Sequence, residues 1–199
     1  VEPAGHDARI KVAALERGTL KRSFLMTNEQ AEFLLNAVYL PQIQNERAAT
    51  RRVIEAIPAD KCDWKPDAKA KSALELAWHI ASSECMFLNG VANGKFDFSG
   101  GARPESIKTP ADVLKWYDEN IAKATAAVGA VKGEALASPI DFAGFFNFPA
   151  VVYVAFMSNH SIHHRGQLST YLRPMGSKVP SIYGGSADEP ITRPSAAQA

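Results

Sequence analysis

A chain of 199 residues with 22 basic and 21 acidic side chains carries a formal charge of only +1. That balance argues against dedicated binding of nucleic acid or an anionic membrane surface, both of which call for concentrated positive charge. Two cysteines, Cys62 and Cys85, are too few for a disulfide framework and read as reduced thiols.

The length suits one domain with a sizeable core, and no apolar run approaches the roughly 20 residues of a membrane span. Val1 to Phe24 contains basic residues but no hydrophobic stretch of secretory type, so a cytoplasmic protein is the expectation. Residues 1–25 read as an extension of uncertain role, and residues 191–199 as a polar tail.

Four long amphipathic helices are expected, with no convincing alternating strand. The first begins at Thr27, where Thr27 and Gln30 have capping-box spacing, and runs to about Ile57. Pro41 must kink or break it, because proline lacks the backbone donor and clashes with the preceding turn. The second covers Ser72 to Asn93, and Ser72 with Glu75 repeats the capping pattern. Its face holds Leu76, His79, Ser83, Met86 and Phe87.

The third helix starts at Thr109-Pro110-Ala111-Asp112, an N-cap followed by proline at the first helical position and an acid in the first turn. Its stripe is Leu114, Tyr117, Ile121, Ala124 and Val128. Between the third and fourth helices lies a segment rich in phenylalanine: Phe142, Phe145, Phe146 and Phe148. It reads as a hydrophobic plug under a loop, with a pocket wall as the functional alternative. The fourth helix runs from about Pro149 to Met175 and stops at Gly176.

Such elements make an all-α four-helix bundle. The connections exceed the two to eight residues or so usual between bundle neighbours, so crossovers are open and the helix order is not fixed.

The fourth helix carries the most informative stretch, His160-Ser161-Ile162-His163-His164-Arg165-Gly166-Gln167. His160 and His164, one turn apart, share the apolar stripe of Tyr153, Met157, Leu168 and Tyr171. Buried imidazoles need polar partners. A metal ion suits this spacing, while a hydrogen-bonded pair of core histidines is the competing reading. His163 points roughly 60° from His160 and 100° from His164, and so away from any shared ion. His6 lies in the polar N-terminal region. His79, on the core face of the second helix, is left as a third ligand. Three histidines with an open position are the pattern of a catalytic metal.

Neither Cys62 nor Cys85 is well placed as a fourth ligand. Glu75, one turn before His79, is a capping carboxylate that could also orient the ring. Gln167 reads as an interhelical hydrogen-bonding residue or a ligand contact, Arg165 as a salt-bridge residue, and Gly166 as a site of close helix approach.

The chain resembles the DinB/YfiT-like superfamily, the damage-inducible proteins of bacteria, over roughly Met26 to Glu189. The resemblance rests on His-x3-His-Arg-Gly-Gln at His160 to Gln167 and on Leu76-Ala77-Trp78-His79-Ile80. It is supported by Lys178-Val179-Pro180-Ser181-Ile182-Tyr183-Gly184 after the last helix. It implies a bundle over residues 26–190 holding one divalent metal, nickel or zinc, on His79, His160 and His164.

Some relatives use that metal with a low-molecular-weight thiol, as S-transferases or thiol-dependent isomerases. The implied function is therefore a metal-dependent transferase or hydrolase acting on a small molecule; the alternative is a non-catalytic metal- or ligand-binding stress protein. The partners implied are a small-molecule substrate or thiol, with no nucleic acid and no membrane, and a homodimer is left open. Three neutral imidazoles would leave the divalent charge uncompensated, making the site strongly Lewis-acidic.

Overall fold

A computed structural model describes residues 26–191, so expectations placed on residues 1–25, His6 among them, and on residues 192–199 lie outside the described residues. Helix α1 (Asn28–Phe33) begins at the expected cap: Thr27 Oγ1 accepts from Gln30 N–H, and Gln30 Oε1 accepts from Thr27 N–H. It passes into a π-helical stretch, Leu34–Tyr39, and on into α2 (Leu40–Glu55).

Pro41 therefore does not end the helix. The disturbance falls on its N-terminal side, where Leu40 N–H bonds to Leu35 O, five residues back. The widened turns place Pro41 in the first turn of a fresh α-segment, where its missing donor costs little.

Helix α3 (Ala73–Asn93) starts at the Ser72–Glu75 capping box and ends at Gly94, whose φ of 66° is the left-handed conformation that closes helices. Helix α4 (Pro110–Gly129) starts at the Thr109–Asp112 box, and its stripe of Leu114, Tyr117, Ile121, Ala124 and Val128 is buried as expected. A single turn, α5 (Glu134–Ala137), leads to the last connection.

The phenylalanine-rich segment departs from the expected loop: its Phe142 packs on Phe87 and Phe156 beside the histidines, while Phe145 and Phe146 are exposed. It forms an antiparallel hairpin, β1 (Pro139–Phe142) with β2 (Phe146–Pro149), in the register Ile140↔Phe148 and Phe142↔Phe146. The three residues between the strands, Ala143 to Phe145, form a tight turn closed by Phe145 N–H on Phe142 O at 3.0 Å, with φ of 52° at Ala143 and 76° at Gly144. Ala143 is an unusual choice for that conformation, and it hid the turn from the sequence. Helix α6 (Val152–Leu172) accordingly begins later than Pro149, which is paired with Pro139 in the hairpin.

In the bundle, α3 packs most extensively on α4 and α6, while α2 closes the ring against the same two helices. Consecutive long helices α2 and α3 therefore sit on a diagonal, as do α4 and α6. The connections α2–α3 and α4–α6 are crossovers, whereas the long connection α3–α4 joins neighbours. Leu76, Ile80, Ile121, Leu168 and Leu172 are wholly buried at the centre, each worth about 1.5–3 kcal/mol relative to exposure. Among the described residues no helix is long and apolar enough to cross a membrane.

Candidate metal centre

The capping box that starts α3 sets the register that turns His79 inward, and the apolar stripe of α6 does the same for His160 and His164. The three imidazoles converge between the helices: one ligand-capable atom from each lies within 4.8 Å of the others. The ring centroids are 4.5 to 4.9 Å apart. His79 Nε2 stands 3.2 Å from His164 Nε2.

The outward nitrogens are held from behind. Gln167 Oε1 accepts from His164 Nδ1 at 3.0 Å, and Ser83 Oγ lies 3.4 Å from His79 Nδ1. A proton on His164 Nδ1 leaves its Nε2 lone pair facing His79, the arrangement that orients a ligating imidazole. His160 Nδ1 is buried with no hydrogen-bond partner, an expensive state for a polar atom without an ion or water to meet it.

Burial, and then the neighbouring His164, push His79 and His160 down from 6.5 to about 4; burial also lowers His164. All three are thus neutral at physiological pH, the form in which histidine offers a lone pair to a metal. The donor set fits a divalent ion, and among the described residues no carboxylate or thiolate joins it.

His163, as expected, is left out: it is exposed on the outer side of α6 and absent from the cluster. Cys62 is half-buried in the loop before α3, its thiol donating to Ala59 O, and Cys85 is buried with its thiol pushed up to about 12 by desolvation. Glu75 is the capping carboxylate and also pairs with Lys65; Ser83, one turn after His79, takes the orienting place instead.

Gln167 bonds within its own helix, to His164 and Tyr171, rather than across helices, because its i−3 and i+4 neighbours are nearer than any other element. Gly166 is exposed, with open space around the position of a Cβ, so it mediates no close helix approach. Arg165 is a salt-bridge residue, buried against Glu46.

The fold and this cluster define a helical bundle built around three convergent imidazoles. The family model described as "DinB family" matches residues 26–193, and the chain belongs to that family. It is 31% identical to the uncharacterized protein YjoA of Bacillus subtilis over 136 residues, 66% of this chain and 85% of that one. Similarity to the uncharacterized protein YrdA of the same organism is 24% over 155 residues, 76% of this chain and 89% of the relative.

Among solved structures, a DinB-like protein of Bacillus cereus superposes with a TM-score of 0.62 at 20% identity, covering 73% of this chain and 95% of that one. The crystal structure of B. subtilis YjoA gives 0.59 at 24% identity, covering 71% and 95%. At those identities the structures speak for the fold.

Proposed function

We propose that this protein is a divalent-metal-dependent enzyme that joins a low-molecular-weight thiol to a small electrophilic substrate, with nickel or zinc held by His79, His160 and His164. The observation that carries the reading is the convergence of three neutral imidazoles with no fourth protein ligand among the described residues. A divalent ion there would supply Lewis acidity, lowering the pKa of a coordinated thiol or water towards neutrality.

The chain's own part is to orient and to exclude solvent. Gln167 and Ser83 fix the rings, and the aromatic cluster of Phe87, Phe142 and Phe156 walls the site beside His160, with Phe87 at 5.9 Å from its ring. That no carboxylate stands in the cluster among the described residues equally suits a second reading, a non-catalytic metal- or ligand-binding stress protein.

Metal analysis of untagged protein tests the site. One equivalent is expected in the wild type and in His163→Ala, and almost none in His79→Ala, His160→Ala or His164→Ala. Equal loss in all four variants would sink the ligand assignment. In cobalt-substituted protein a sulfur-to-metal charge-transfer band should appear only on adding a small thiol. A band present beforehand and removed by Cys62→Ser or Cys85→Ser would mean a closed site. Turnover in a screen of thiols and electrophiles separates the enzyme from the binding protein.

A further inference from the structure

The three-histidine cluster is not isolated. His79 also borders a cleft of about 670 Å³ that runs along α3 towards its C-terminal end, within the size range of small-ligand sites. Its floor is one stripe of that helix: from His79 it passes Ser82 and Ser83, then Met86, Asn89 and Asn93, at the three- and four-residue steps of a helix face. From His79 to Asn93 that stripe spans about 21 Å at 1.5 Å per residue. Trp116 and Asn120 of α4 form the opposite wall.

The far end is closed by the chain that follows α3. Gly94 reverses its direction, and Lys95 N–H returns to Gly90 O at 3.0 Å. The Phe96 ring then lies on Gly90 so closely that a Cβ there would come within 2.2 Å of it. Phe96 also packs on Phe87 and Tyr153, at 5.9 and 4.8 Å. This wall is therefore fixed by packing, and it presents Lys95, Asp97 and Phe98 to the cleft.

The chemistry of the lining is specific. Ser82, Asn89 and Asn93 make no side-chain hydrogen bond among the described residues. Asn120 uses only its amide nitrogen, on Trp116 O, leaving its oxygen free. Lys95 and Asp97 offer opposite charges without forming an ion pair with each other. The Ser99 backbone N–H holds the Asp97 carboxyl below the usual range, and so ionised.

We propose that this cleft binds an elongated, amide- or hydroxyl-bearing small molecule with a zwitterionic amino-acid head group. The head group lies on Lys95 and Asp97, its carboxylate on the first and its ammonium on the second. The middle lies on the asparagines, and the reactive end reaches His79. The inference deepens the proposed function by placing one reactant of that site.

Isothermal titration with S-methylglutathione tests the cleft separately from the metal, because the methylated sulfur cannot become a thiolate. The metal-free wild type should bind it. An Asn89→Leu/Asn93→Leu double variant and, separately, Lys95→Glu should each weaken binding at least about tenfold, one conventional hydrogen-bonding increment. These positions are exposed, so folding and the metal content at the histidines should be unchanged.

The N-acetyl derivative, which lacks the ammonium, should also bind more weakly; equal binding of the two would overturn the head-group assignment. No binding at millimolar peptide, or equal binding by wild type and variants, would overturn the cleft while leaving the metal analysis intact. Peptide binding by a wild type that takes up no metal would instead support the cleft and sink the catalytic reading.

Discussion

Helix α6 buries polar side chains on two flanks, and it does so on opposite terms. On one flank Arg165, only 1% exposed, is partnered at both terminal nitrogens: Nη1 donates to Glu46 O and Thr50 Oγ1, and Nη2 to the Glu46 carboxylate and the Tyr183 hydroxyl. Tyr183 in turn donates to Glu46 and stacks under the guanidinium, 5.3 Å from its centroid. One turn back, Ser161 joins Tyr117 in donating to the buried Glu84 carboxylate.

On the other flank His160 Nδ1 has no partner, and two imidazole nitrogens face each other across 3.2 Å. Buried polarity that is fully partnered holds a fold together; buried polarity left open is where a ligand belongs. Both flanks come from the same eight-residue motif, so motif membership alone does not tell structural residues from binding ones.

Arg165→Ala should produce the largest loss of stability, about 3–5 kcal/mol by urea denaturation, since it strands Glu46 and frees the C-terminal segment that Tyr183 ties down. His164→Ala, measured beside it in metal-free protein, should cost far less, because no ion pair is broken. Comparable losses from the two would erase the contrast between the flanks.

A smaller effect is expected from pH. In the metal-free folded chain His79 and His160 titrate near 4 rather than 6.5, so between those values the unfolded chain binds more protons. Their contribution is complete above pH 6.5 and is lost as pH falls towards about 4. Melting temperature against pH, in chelator, should therefore fall less steeply over that window in His160→Leu than in the wild type. Parallel curves would show that His160 is not held neutral by burial.

The smallest change in stability should come from Gln167→Leu, within about 0.5 kcal/mol as for surface substitutions. Metal affinity in the same variant should nonetheless drop about 10–100-fold, the usual effect of removing a group that orients a ligating histidine. A change in stability with unaltered metal affinity would move Gln167 to the structural flank.

Much of this molecule was legible in order along the chain. The N-caps at Thr27, Ser72 and Thr109 are local hydrogen-bond patterns between residues three apart, and all three formed where expected, the one at Thr109 as a full capping box with Asp112. The stripe of α4 followed because helical periodicity and burial report the same face. The hairpin was missed because Ala143 gives no hint of its positive φ, and a four-residue strand is too short to show alternation. The π-helical turns before Pro41 were equally hidden: proline announces a disturbance but not how the backbone absorbs it.

The candidate ligands were readable because spacing puts His160 and His164 on one face and leaves His79 as the remaining helical, inward histidine. Their supports were only half readable. Ser83 and Gln167 lie at helical spacing from the rings they hold, yet a carboxylate at Glu75 and an interhelical role for Gln167 suited the sequence as well.

By itself, then, the sequence determined the helices, their caps, their inward faces and the three histidines, because each depends on interactions within a few residues. The tertiary structure alone decided that α2 lies diagonal to α3, and α4 to α6, and that Arg165 closes on Glu46, 119 residues away, and Tyr183. It likewise decided that a polar cleft runs from His79 along α3 to Lys95 and Asp97. Those features depend on which distant faces meet, and the long connections leave that choice to the packing of the whole core.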